Sequence, residues 1–132
     1  MEDLLYKAIS YGRELGLEFI DIRIDDYIIN SITIRDSAVT SSSINIKGAS
    51  IRVLSEGVIG FAATGIVNKN GLKRAIDSAY RQVKAFKGLT EKMGVYTVSS
   101  RHDVVKEKPI VDPRDVGFDV KISDLSELRD LI

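Results

Sequence analysis

From Phe19 the chain alternates apolar and polar residues, and this pattern constrains the fold more than any other feature. Ile20, Ile22 and Ile24 interleave with Asp21, Arg23 and Asp25. Successive side chains of a strand point to opposite faces, so a period of two gives one face to a core and the other to water. The pattern predicts one strand over about Phe19–Asp25 and a second over about Tyr27–Arg35, with Ile28, Asn30, Ile32 and Ile34 sharing a face. Asp36-Ser37 reads as a turn. A third strand is expected from about Ala38 to Ile46, polar at many positions, and a fourth from Ser50 to Leu54. Ser55-Glu56-Gly57 has the character of a tight hairpin turn with Gly57 at positive φ. A fifth strand, Val58 to Ala63, completes a meander.

Helical spacing brackets this region. Leu4, Leu5, Ala8, Ile9, Gly12 and Leu15 recur every three or four residues, and Gly16 follows as a helix stop. A second stripe, Leu72, Ala75, Ile76, Ala79, Val83 and Phe86, predicts a helix over about Asn70–Lys87. Asn68 is its expected N-cap and Gly88 its stop. Antiparallel strands between two helices predict an α+β two-layer sandwich: a mostly antiparallel sheet of about four to five strands, with both helices on one face. Residues 1–90 form this N-terminal domain in the sequence reading.

From Leu89 to Gly117 the periodicity weakens. Lys106-Glu107-Lys108-Pro109 is polar and broken by proline, and Val111-Asp112-Pro113-Arg114-Asp115 signals a turn or helix entry. Residues 91–118 read as a linker with a short extended piece at Gly94–Ser99. Residues 119–132 read as the start of a following helix or middle domain. There Ile122, Leu125, Leu128 and Ile132 regain helical spacing, with Ser123 as a cap. Such a stripe needs a partner surface. Either the helix folds back on this domain, or it docks on another chain, or it meets the rest of a longer protein, and Leu125, Leu128 and Ile132 are the candidate contacts.

Composition removes several classes of function. Hydrophobic residues make up 44% and charged residues 29% of the 132, ordinary for a folded domain, so disorder of the whole chain is not expected. Nineteen basic residues balance nineteen acidic ones. Phosphate-gripping domains carry a basic excess, so nucleic acid is not an expected partner. No apolar run approaches the roughly 20 residues that span a membrane, and the acidic N-terminus does not resemble a signal peptide. The chain has no cysteine, hence no disulfide, thiolate ligand or thiol nucleophile, which fits a reducing, cytoplasmic setting.

Chemistry-bearing candidates are few. His102, followed by Asp103, reads as a solvated linker histidine. Gly57-Val58-Ile59-Gly60 lacks the spacing of a phosphate loop and no helix follows it directly. Arg81, Lys84 and Lys87 form a mild basic helix face. Asp21, Asp25 and Asp26 could group around a cation, but Arg23 lies among them to balance their charge. Ser41, Ser42 and Ser43 stand in no nucleophile motif. They line a strand with an exposed edge, where a peptide could add as a further strand.

The segment IRDSAVTSSSINIKGASIRVLSEGVIGFAAT resembles the N-terminal signature of the TldD/PmbA family, also called modulators of DNA gyrase. The matching positions are Arg35-Asp36, Ser41-Ser42-Ser43, Gly48, Arg52-Val53, Glu56-Gly57 and Gly60-Phe61-Ala62. Gly71-Leu72, Ala75 and Ala79 fit as well, and Val111-Asp112-Pro113 resembles the family's link into its middle domain. Ser37 departs from the pattern, which has glycine there; serine tolerates positive φ less readily. The resemblance implies a zinc-dependent peptidase acting on unfolded or modified peptides, whose H-E-x-x-x-H helix lies downstream of this region. A catalytic zinc site takes about three protein ligands, and one histidine without cysteine cannot supply the helical pair. The chain alone is thus expected to lack catalytic and metal residues and to be inactive. The expected role is structural, in a homo- or hetero-oligomer with the remainder of the protease or a partner subunit. The alternative is a stand-alone protein-binding module that pairs with a full-length family member. Zinc is expected only in the full-length protein.

Overall fold

The computed structural model describes residues 1–89, 93–94 and 102–131. Its elements are α1 (Glu2–Glu14), β1 (Phe19–Arg35), β2 (Ala38–Ser55), β3 (Val58–Thr64), α2 (Lys69–Phe86) and α3 (Phe118–Asp130). The α+β class holds, with three helices among the described residues where two on one face were expected. Among the described residues the sheet has three antiparallel strands in the order β1-β2-β3, in place of the four to five expected. The predicted first and second strands are one strand of 17 residues, and the third and fourth are one of 18. Physical reasons lie at the supposed breaks. Asp26 stays in the strand because the Lys47 ammonium meets it at 2.7 Å. Gly48 continues β2 because its bare Cα lies close to the Thr64 carbonyl oxygen, where a Cβ would be crowded at 3.3 Å.

Two turns fix the register. Counted back from the two-residue Asp36-Ser37 turn, Asp26 falls opposite Lys47 and Asp21 opposite Arg52, and both pairs are bonded. At the second turn Glu56 and Gly57 take φ of 55° and 80°, the two positive values of the primed turn that suits the twist of a hairpin. Gly57 thus behaves as its sequence predicts. At the first turn the positive φ, 54°, falls on Asp36 and not on Ser37. Asp tolerates this region better than most residues, so the serine carries no penalty there.

The described residues group into two compact units. One comprises Met1–Tyr27 with Asn45–Thr97, and its core is where the odd residues of β2 meet α2. Ile51, Val53, Leu72, Ile76 and Val83 are its largest fully buried side chains. Burying each stabilises by roughly 1.5–3 kcal/mol. The Asn68 side chain accepts from the Gly71 N–H at 2.9 Å, as expected of an N-cap. Gly16 and Gly88 follow α1 and α2 with φ of 81° and 79°. The helices α1 and α2 pack on each other and α2 lies along β3. Gly12 of α1 sits against Ile20 of β1.

The other unit comprises Ile28–Ile44 with Val98–Ile132. It contains the third helix, which starts at Phe118 with Gly117 as N-cap, earlier than the sequence predicts. Ser123 lies inside it and caps nothing. Just upstream, the Asp112 carboxylate accepts from the Arg114 N–H and its guanidinium, closing the anticipated Asp-Pro turn. This pairing pulls the Asp112 pKa down to about 2. No side chain of α3 is fully buried. The expected extended piece runs past Gly94 into residues outside those described.

Candidate interaction surfaces

Ser41, Ser42 and Ser43 lie on β2 and all three are exposed. Val39 and Ile44 flank them, each about half exposed, at 47% and 53%. On β1, Ile32 and Ile34 are half-buried while Ser31, Thr33 and Arg35 are exposed; Ile28 and Asn30, also even positions, are exposed. A groove of about 510 Å³ is lined by Ile28, Asn30, Ile32, Pro113, Lys121, Asp124 and Leu125. Leu125 therefore contributes to a groove wall beside β1. Leu128 sits one turn further along α3 and is 56% exposed. The serines do not line this groove, and Ile132 lies outside the described residues. The structure thus brings Leu125 and Leu128 together on one helix and leaves the serines as a separate patch.

A second surface lies between α1 and α2, which sequence reading missed. A cleft of about 440 Å³ is lined by Leu4, Tyr6, Lys7, Ala8, Ser10, Tyr11, Glu14, Lys69 and Lys73. At its wall the Tyr11 hydroxyl donates to the Asp77 carboxylate at 2.5 Å. That bond, followed by partial burial and the charge of Asp77, raises the Tyr11 pKa to about 12. The Lys73 ammonium stands 4.6 Å from the centre of the Tyr11 ring, where the ring quadrupole attracts it. Tyr11 and Asp77 are far apart in sequence, and no local pattern announces their pairing.

The hairpin between β2 and β3 carries a charge cluster. Glu56 accepts from Lys84 at 3.4 Å and from Lys87. Lys87, with Lys84 second, holds the Glu56 carboxyl below the ordinary glutamate range. The helix face read as merely solvated is therefore tied to the turn.

Along the outer side of β3, the Gln82 carboxamide makes two bonds to one residue. Its Oε1 accepts from the Phe61 N–H at 3.1 Å and its Nε2 donates to the Phe61 carbonyl at 2.7 Å. The approach that allows this is set by Gly60, where any Cβ would overlap the Ala79 carbonyl of α2.

Among the described residues no catalytic constellation accompanies these features. Asp21 pairs with Arg52 at 2.9 Å, Asp25 with Arg23 at 3.0 Å and Asp26 with Lys47, so each carboxylate has its own cation. Arg23 balances Asp25 alone, where the sequence reading had it balance Asp21 as well. His102 is exposed in a segment without regular structure. Among the described residues no three His, Cys, Asp or Glu side chains converge on a point that could hold a metal ion. The residues present do not fit a zinc centre. No described helix is long and apolar enough to cross a membrane.

Comparison with known proteins supplies the remaining observations. Residues 20–83 match the family model described as PmbA/TldA metallopeptidase domain 1. Over 128 residues the chain is 28% identical to a zinc metalloprotease TldD homolog of Saccharolobus solfataricus. The alignment covers 96% of this chain and 25% of that relative, so the chain spans about a quarter of the relative's length. No solved structure matches it significantly.

Proposed function

We propose that this chain, which belongs to the TldD/PmbA family as its N-terminal domain, is the structural and assembly portion of a metallopeptidase whose chemistry resides elsewhere in the protein. One observation carries the reading. The matched residues, 20–83, form the sheet and α2, and they belong to a chain with one histidine and no cysteine. A peptidase zinc ion and its activated water require about three convergent ligands. In the full-length protein, zinc would be held by residues outside this domain and would supply the hydrolytic water.

The geometry suits a scaffold. One unit has a packed β2-β3-α2 core, and the exposed residues of the other include Ser41, Ser42 and Ser43 on β2 and Leu128 on α3. The serine stretch would help shape the path of a peptide substrate, since unpaired strand groups accept an added strand. Leu125 and Leu128 would join this domain to a following domain or a partner subunit. The absence of cysteine supports a reducing, cytoplasmic compartment.

The test is made in the full-length protein. Leu125→Asp with Leu128→Asp should lower the mass of the assembly in sedimentation while bound zinc per chain stays constant. Unchanged mass and unchanged peptidase activity would remove the assembly role. A second reading, a binding module that pairs with a full-length family member, is favoured by the exposure of Leu128 on α3 and of Leu131 just past its end. It predicts that the isolated chain captures a full-length family member and that the same double substitution abolishes capture.

A further inference from the structure

We propose that Gln82 is an edge guard: its carboxamide fills the hydrogen-bonding slot that a fourth strand would occupy at Phe61 and so keeps β3 from pairing with the β3 of a second copy of this chain. A two-residue turn makes its flanking residues, Ser55 and Val58, a hydrogen-bonded pair, and pairs then alternate along the ladder. In the observed register Arg52 lies opposite Phe61, which makes theirs a non-hydrogen-bonded pair. The Phe61 N–H and carbonyl therefore point away from β2, toward the open side. They are the groups an incoming strand would seek first, because β3 ends the sheet among the described residues.

Gln82 meets both. One carboxamide offers an acceptor and a donor side by side, in the arrangement of a peptide group on a neighbouring strand. Its two bonds to Phe61 reproduce strand pairing at a single residue without a strand. In the turn before β3, the Gly57 carbonyl accepts from the Met93 N–H at 2.8 Å. The guard is delivered by the helix. Gly60 lets α2 approach until the Ala79 carbonyl lies against the strand, and Gln82 is one turn beyond Ala79. Exposed edge strands invite pairing with another chain, and β3 presents Ile59 and Phe61, 42% and 54% exposed, on its open face. Without the guard the Phe61 N–H and carbonyl would have no partner among the described residues, beside an apolar face.

The experiment compares the unsubstituted chain with Gln82→Leu, which keeps bulk and loses both bonds. Amide exchange at Phe61 should accelerate about tenfold or more, as expected when a hydrogen bond of ordinary net strength is lost. Sedimentation should show self-association beginning at about tenfold lower concentration, with the circular dichroism of the folded chain retained. Adding Ala63→Lys, which sets an ammonium on the same edge, should reverse the association. Should the leucine variant fail to fold, Gln82→Met, unbranched and of similar length, carries the same expectations. The proposal is overturned if Phe61 stays protected and association is unchanged. It is equally overturned if association comes only with loss of folded signal and persists in the Ala63→Lys background, since Gln82 would then be a stability contact and not a guard.

Discussion

The Tyr11–Asp77 bond illustrates how a single pair couples the fold to pH. The phenol is favoured in its neutral form because ionising it would set a second negative charge beside the Asp77 carboxylate it now serves as donor. Its folded pKa, about 12, lies above the ordinary 10.0. A group raised on folding contributes stability in full below its unfolded pKa and loses it as pH climbs through the folded one. The contribution should therefore be intact at neutral pH and fade between 10.0 and about 12. Tyr11→Phe should lower stability by about 1 kcal/mol near neutrality, the usual worth of such a bond at a partly exposed site. Above about pH 11 the gap between the two proteins should narrow, and denaturant midpoints of both across this range check it. Neither residue was legible in advance, because a side-chain bond between distant helices leaves no periodic trace. Asn68, Gly57 and Gly88 were legible, because caps and positive-φ turns are decided within a few residues.

At the scale of elements, the close approach of α2 to β3 organises the first unit. Gly60 is the residue that permits it. Adding one methyl group, Gly60→Ala, would drive a Cβ into the Ala79 backbone. The helix would have to lift, and stability should fall by about 1–3 kcal/mol, the range for overpacking a closed site. Chemical denaturation measures this, and a cost near zero would show that α2 is not held as described. The Phe61 amide should exchange faster in the same variant, since lifting α2 withdraws Gln82. The sequence revealed both helices of this unit through their apolar stripes and the start of β1 through its alternation. It misplaced strand ends because Asp26 and Gly48 look like breakers in isolation. Their tolerance comes from Lys47 across the ladder and from the neighbouring Thr64 carbonyl, which are tertiary facts. The start of α3 was misjudged for a related reason. Its N-cap is Gly117, with no side-chain cap to read.

For the molecule as a whole, charge and composition set what it does not need to explain. Nineteen basic residues balance nineteen acidic ones, and a single histidine with no cysteine cannot supply the histidine pair of a zinc helix. One unit offers a packed core; the other exposes Ser41, Ser42 and Ser43 on β2 and Leu128 on α3. The family relationship was legible from the order of short motifs, and the structure gives several of them a physical role. Gly60-Phe61-Ala62 is the site where α2 touches down, and Glu56-Gly57 is the primed turn held by two lysines. The central claim is that hydrolysis belongs to another part of the protein. It is tested most directly by incubating the purified chain with zinc and an unfolded peptide and following cleavage by mass spectrometry, with and without a chelator. The account predicts intact peptide in both samples; cleavage that the chelator abolishes would contradict it.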